Sequence, residues 1–195
     1  MKRRKIKFES SVTPKEEKCE SLIKIFNNFI NIGEQINIVS RQLNLAQLKN
    51  NQEKFNTIIQ TQLNKFVEGE DNINKKLQEI QSELDSLINS VTKKNLPKEN
   101  TNDKKIKDLE SIKEAVSESQ KKIGYYYAGK KDPTQFLSNL IKAKNSNDLD
   151  TSKYYASKAI TDLRNVFDDL FGKRENKENA PVEKISKLKK HYECD

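Results

Sequence analysis

Apolar residues recur along this chain at spacings of three and four, the period of a helix with one buried stripe. The longest such run keeps its register from Ile59 to Val91, with Glu70 as its single polar member. It contains Ile59, Leu63, Phe66, Glu70, Ile73, Leu77, Ile80, Leu84, Leu87 and Val91. We interpret it as one continuous helix, with room for a local bend at residues 69–72. Its seam must be buried, either inside a bundle or against a second chain.

An earlier run begins with a helix start signal. Thr13 suits the N-cap, Pro14 suits the first helical position, and Glu16 is placed to complete a capping box. The stripe that follows contains Leu22, Ile25, Phe26, Phe29, Ile30, Ile36, Val39 and Leu43. Gly33 lies within it and costs the helix up to about 1 kcal/mol without ending it. The pattern weakens at residues 49–52, which indicates either a turn or a solvated stretch of one long helix.

Further helices are separated by Pro-, Gly- and Asn-containing segments. A loop is expected at Asn95–Asp103 and a helix after it, ended by Gly124. A turn at Asn145–Asp150 precedes the last strong helix, which Gly172 ends as a C-terminal glycine. No alternating run or Asn-Gly hairpin predicts a strand.

These patterns predict an all-α fold, an antiparallel helical bundle with long coiled-coil-like helices and flexible termini. We expect residues 1–12 to form a disordered basic arm, residues 13–172 the bundle domain, and residues 173–195 a polar tail. The tail is expected to be disordered up to Pro181. Its last part allows a short amphipathic helix through Ile185, Leu188 and Tyr192.

Composition agrees with exposed helices rather than a large enzyme core. Hydrophobic residues make up 33% of the 195 residues and charged residues 34%, with 5 Gly, 4 Pro and no Trp. The net charge of +8 is concentrated in Lys2–Lys7 and in the tail, which leaves the body nearly neutral. Because a nucleic-acid binder needs a basic folded face and favours Arg, which is scarce here, nucleic acid is not the expected partner.

Residues for catalysis are scarce. His191 is the single histidine of the chain, and no metal-binding motif occurs, so we expect no enzyme, no cofactor and no metal. Cys19 and Cys194 lie near opposite ends and show no zinc spacing. We interpret them as two free thiols, with an intermolecular bridge through Cys194 as the alternative.

The best candidate binding site is a run of three tyrosines flanked by lysines. Tyr supplies a large contact area at low entropy cost and is enriched at binding hot spots. Three adjacent rings cannot all point inward, so at least one is expected to face a protein ligand. The alternative is that the rings close the end of the bundle. The candidate residues are Tyr125, Tyr126, Tyr127, Lys130 and Lys131.

The location of the protein is left open by the sequence. No run approaches the 18 or so apolar residues of a membrane span. Residues Met1–Phe8 resemble the basic start of a signal peptide but lack its apolar segment. The chain is therefore expected to be cytoplasmic, or to be displayed outside the cell after an export signal has been removed from it.

In composition and helical layout the chain resembles the small outer-surface lipoproteins of Borrelia spirochaetes. These are rich in Lys, Ile and Asn, poor in Arg and Trp, and built as helical bundles. The resemblance covers the whole chain, rests on no specific motif and transfers no binding residue. It implies a lipid on an N-terminal Cys, surface display and non-catalytic binding of a host protein. This sequence lacks the export signal and the lipid-acceptor Cys at its start, so a membrane would be reached only through an anchor absent from it.

The leading hypothesis is thus a non-catalytic helical surface protein that binds a host protein. One alternative is an intracellular coiled-coil scaffold that dimerises through residues 59–91. Another is a nucleic-acid-associated protein that works through Lys2–Lys7.

Overall fold

The computed structural model describes residues 13–68, 73–92, 100–124 and 135–194. Within these ranges all regular structure is helical, which confirms the predicted all-α fold. The elements are α1 (Pro14–Gln47), α2 (Gln52–Glu68), α3 (Ile73–Thr92), α4 (Asn100–Ile123), α5 (Phe136–Asn145), α6 (Leu149–Phe171), a short 3-10 helix (Lys177–Asn179) and α7 (Pro181–His191).

Helix α1 begins and continues as its sequence predicts. The Thr13 side chain accepts a hydrogen bond from the Glu16 N–H, and the Glu16 carboxylate accepts one from the Thr13 N–H, so the capping box is complete. The helix passes through Gly33 without a break and runs for 34 residues, about 51 Å. It ends in a turn rather than continuing, and Asn51 accepts a hydrogen bond from the Lys54 N–H at the start of α2.

The seven α-helices of the described residues line up end to end into four rods, and neighbouring rods run antiparallel. Rod 1 is α1 alone. Rod 2 is α2 followed by α3, rod 3 is α4 followed by α5, and rod 4 is α6 followed by α7. Rod 1 packs against rods 2 and 4, and rod 3 packs against the same two rods from the other side. Rods 1 and 3 therefore lie diagonally across the bundle.

Side-chain contacts give the rods an up-down-up-down order. Ser21 donates a hydrogen bond to Glu83, and Asn28, further along α1, donates one to Glu79. Residue numbers on α3 therefore fall as those on α1 rise, so α3 runs antiparallel to α1. On rod 4, the Gln47 amide donates to the Lys153 carbonyl, whereas Gly33 contacts the Phe171 ring. Since α6 numbers rise as α1 numbers fall, rod 4 also runs antiparallel to α1.

The middle of the bundle, which we call the waist, is the level at which three of the four rods pass from one described helix to the next. Rod 2 changes from α2 to α3 there, rod 3 from α4 to α5, and rod 4 from α6 to α7. Gly33 marks this level on α1 because its missing side chain leaves room for Phe171, whose Cζ would lie 2.6 Å from a Cβ at this position. Helix α1 is one unbroken helix through the waist, so it links the two halves of the bundle.

The predicted 59–91 seam is buried within this one chain. Its apolar members from Ile59 to Leu87 are buried against the rest of the bundle. The single chain therefore covers the seam, and no second chain is needed to bury it. The prediction of one continuous helix falls partly on residues 69–72, which lie outside the described residues.

Several expectations from the sequence are wrong. Residues 173–180 are not disordered, since they form a turn and the 3-10 helix. The short helix that the tail allowed is, by contrast, confirmed as α7, whose Ile185 and Leu188 are buried on the bundle. Helix α4 begins at Asn100, inside the expected loop. Ile30, assigned to the buried stripe of α1, is exposed. It lies on the side of α1 that faces away from rods 2 and 4.

The two cysteines are not free thiols, because Cys19 and Cys194 form a disulfide within the chain. The expectation failed because spacing along a sequence carries no information about a pairing between its two ends. Helix α7 runs antiparallel to α1, and Lys189 lies over the Phe26 ring. This packing brings Cys194 beside the first turns of α1, where the bond forms.

Candidate protein-interaction site

The binding residues predicted from the sequence, Tyr125, Tyr126, Tyr127, Lys130 and Lys131, all lie outside the described residues. The structure does describe the two positions that flank them. Gly124 has a φ of 90° and its carbonyl accepts a hydrogen bond of 3.2 Å from the Asn74 side chain. Gln135 precedes α5. Both flanking residues lie at the waist on rod 3, the rod diagonally opposite α1.

A second candidate surface, which the sequence reading missed, is the outer face of α1. A helix packed between two rods buries the side that faces them and exposes the opposite side. On α1 the exposed side carries large aliphatic residues at spacings of eight, seven and three. These are Ile30 (37% exposed), Ile38 (43%), Leu45 (47%) and Leu48 (75%).

The same stretch of α1 is depleted of charge. Between Ile25 and Leu48 the only charged residues are Glu34 and Arg41, and there is no lysine, although 34% of the whole chain is charged. The remaining exposed polar positions are asparagines, at 27, 31, 37 and 44. Protein interfaces are depleted of Lys relative to other surface and often form contiguous apolar patches. A count of lysines along the chain would have revealed this segment, since the stretch without lysine is visible in the sequence.

The first half of α1 carries several polar links to neighbouring helices, whereas the described links of the second half to α6 come from Gln47 near its end. Glu83 on α3 accepts hydrogen bonds from Ser21 Oγ at 2.8 Å and from Lys24 Nζ at 2.6 Å. Burial raises the pKa of Glu83, but the hydrogen bonds from Lys24 and Ser21 and the charge of Lys24 outweigh burial, so the net pKa is lowered. An open groove of about 590 Å³ lies along this half, between Glu16 and Asn28. The hydrogen bonds from Ser21 and Lys24 to Glu83 hold the first half of α1 to α3.

Three side chains that could take part in chemistry have contacts within the bundle. The Cys194 sulfur is bonded to Cys19, and the His191 ring contacts the Tyr192 ring edge-on with centroids 5.1 Å apart. Burial raises the pKa of Asp162, opposed by the hydrogen bond from the Asn139 amide and the charge of Lys158.

The described residues form neither a metal site nor a membrane span. No group of three or more His, Cys, Asp or Glu side chains is placed to hold a metal ion in that part of the chain. Among the same residues, no helix has both the length and the apolar character that crossing a membrane requires.

In the part of the chain that the structure describes, the fold is therefore an all-α, up-down-up-down helical bundle with a lysine-free, partly apolar face on α1. Beyond this class the comparisons add nothing, since no protein-family model matches the chain and no significant match exists among curated proteins or solved structures.

Proposed function

We propose that this chain is a non-catalytic helical surface protein that is exported from a bacterial cell and binds a host protein. The single observation that carries the proposal is the Cys19–Cys194 disulfide. Structural disulfides persist in oxidising compartments and are rare in the cytosol of ordinary bacteria. The bond therefore favours the exported alternative that the sequence left open. The likeness in composition to spirochaetal surface lipoproteins points in the same direction.

The position of the bond supports a role outside the cell. It ties α7, the last helix, to the first turns of α1. Closing so long a loop restricts the unfolded chain strongly, so the oxidised protein is stabilised by about 2–4 kcal/mol. Outside the cell a protein meets proteases and no chaperones, and a closed chain with both ends of its fold pinned resists opening at those ends.

For the ligand contact we retain the tyrosine–lysine segment as the proposed site. It comprises Tyr125, Tyr126, Tyr127, Lys130 and Lys131. Its flanking residues, Gly124 and Gln135, lie at the waist on rod 3. Segments that connect helices commonly carry the binding residues of folded proteins, which supports this choice of site.

The two alternatives have less support. A scaffold that dimerises through residues 59–91 needs its seam for a second chain, whereas Ile59, Leu77 and Leu84 are fully buried in their own bundle. The nucleic-acid alternative depends on Lys2–Lys7, which lie outside the described residues, and the described surfaces offer no observation in its favour.

The test combines the redox state with surface exposure in intact source cells. Cells are treated with protease, and a second sample is quenched in acid and labelled with a maleimide-polyethylene glycol reagent before and after reduction. We expect the protein to be digested while a cytoplasmic control protein survives. We also expect two labels per chain only after reduction, because both thiols are in the disulfide.

Each other outcome removes part of the proposal. Labelling without reduction, together with protection from protease, would place the chain in a reducing compartment and overturn it. An oxidised chain that is digested only after the envelope is opened would retain export and overturn surface display.

A further inference from the structure

The exposed face of α1 is suited to a partner that the proposed function does not include. We propose that this face binds the same face of a second copy of the chain. In this pair the two α1 helices run antiparallel, with the two-fold axis passing between Asn37 and Ile38. The inference goes beyond the proposed function, since it assigns an assembly to α1 rather than a ligand to rod 3.

The two charges on this face favour an antiparallel over a parallel pairing with a second copy. Glu34 and Arg41 are its two charged residues and lie two turns apart near its centre line. In an antiparallel pair centred between residues 37 and 38, Glu34 of each chain is level with Arg41 of the other, which gives two ion pairs. A parallel pair in register would instead place Glu34 against Glu34 and Arg41 against Arg41. Like charges placed opposite each other repel, so they destabilise the parallel pair relative to the antiparallel one.

The apolar residues follow the same symmetry. With this axis, Ile30 of each copy is level with Leu45 of the other, so two apolar layers flank the two ion pairs. Ile38 lies at the axis, beside Asn37 of the second copy. All of these positions are exposed in the single chain. A two-fold interface must be complementary to itself, and this face meets that condition in both charge and hydrophobicity.

The size of the face sets the expected strength. Residues 30–48 span about 27 Å of helix, and one helix face of this length buries less than the roughly 800 Å² per partner of a standard interface. We therefore expect a dissociation constant on the order of 1–100 µM. A crowded membrane surface would favour such a dimer far more than dilute solution does.

The geometry of the dimer leaves free the two residues that flank the proposed ligand site. Gly124 and Gln135, which flank the tyrosine–lysine segment, lie on rod 3, across the bundle from α1. Pairing through α1 therefore leaves Gly124 and Gln135 of both copies away from the interface. Two linked sites raise the avidity for a ligand that itself displays repeated binding points.

Sedimentation equilibrium of the oxidised full chain tests the inference, with the 22.6 kDa monomer mass as the reference. Over about 1–500 µM the wild type should shift reversibly from monomer to dimer. Glu34→Arg and Arg41→Glu should each weaken the dimer at least about tenfold, because each places two like-charged pairs in the interface. The double variant E34R/R41E exchanges both charges and should return the dissociation constant to within about threefold of wild type.

Matched controls lie on α4, across the bundle. Glu110 and Lys107 are exposed there, and E110R and K107E make charge reversals of the same kinds. They should leave the dissociation constant unchanged, and far-UV circular dichroism should show equal helicity in all five variants. Ile38→Asp should abolish the dimer, because it brings two carboxylates together at the axis.

A chain that stays monomeric throughout the concentration range overturns the inference, and so does a dimer that the α4 reversals break. Failure of the double variant to restore pairing overturns the antiparallel register. If the monomer floats with vesicles of zwitterionic or anionic phospholipid and Ile38→Asp prevents this, the face binds lipid instead of a second copy. None of these results changes the redox and shaving outcomes, so the proposed function stands or falls separately.

Discussion

The two halves of α1 on either side of Gly33 belong to one helix, but they differ in the residues that they expose to solvent and in their contacts with neighbouring helices. The first half carries Lys15, Glu16, Glu17 and other charges, and it is linked to α7 by a disulfide and to α3 through Glu83. The second half has two charges, and it leaves Ile38, Leu45 and Leu48 exposed.

This difference shows that local helix preference does not determine what a helix does in the fold. Both halves share the three-and-four periodicity, and each buries one apolar stripe. The first half uses its outer positions to attach itself to the bundle. The exposed positions of the second half carry no lysine and include large aliphatic residues, a composition that is common in protein interfaces.

The largest expected effect concerns the covalent link in the first half. Replacing both Cys19 and Cys194 with Ser should lower the free energy of unfolding by about 2–4 kcal/mol, because the unfolded chain regains the entropy that the bond removes. Urea unfolding measures the loss. Wild-type protein in reductant is the control and should unfold at the same urea concentration as the variant. A loss under about 1 kcal/mol would show that α7 is held by packing alone.

The boundary between the halves is tested at Gly33. In Gly33→Ala the new Cβ would lie 2.6 Å from Phe171 Cζ, and the Phe171 ring is stacked on Phe167 at 4.5 Å between centroids. The ring must move, so we expect a net loss of about 1–2 kcal/mol despite the better helix propensity of Ala. In a Phe171→Ala background the clash is absent, and the same change should instead stabilise the protein. Equal effects in the two backgrounds would remove Phe171 as the reason for the glycine.

The polar link of the first half predicts a pH dependence. Because the pKa of Glu83 is lower in the folded chain than its ordinary value of 4.5, its contribution is present above that pH. The contribution is lost as the pH falls through the folded pKa. Glu83→Gln should therefore cost about 1 kcal/mol at pH 7 and clearly less near pH 3. Thermal unfolding at both pH values measures this. A difference that persists undiminished at the lower pH would mean that the amide disturbs packing rather than removing a charge.

The smallest effect on stability is expected in the second half. Leu45→Lys, measured at concentrations where the chain is monomeric, should change the free energy of unfolding by no more than about 0.5 kcal/mol, since the side chain is exposed. Leu43→Lys is the matched control two residues away. Leu43 is fully buried, so the control should lose several kcal/mol. Similar losses in the two variants would show that Leu45 packs within its own bundle, and the contrast between the halves would disappear.

The sequence by itself determined the helices, because the signals that specify them are local. The capping box at Thr13, the glycines that end α4 and α6 and the three-and-four spacing act within a few residues of one another. The site was predicted less well. The tyrosine–lysine segment stays a prediction, and the face of α1 was missed because Ile30 was counted with the core.

The tertiary structure decided what depends on distant parts of the chain meeting. Apolar residues occur on more than one side of α1, and only the packing of rods 2 and 4 selects which side is buried, leaving Ile30 and Ile38 in solvent. Likewise, Cys19 and Cys194 become partners only because α7 runs antiparallel to α1 and ends beside its first turns. Burial and cross-linking between the ends of a chain are consequences of three-dimensional proximity, which no local pattern encodes.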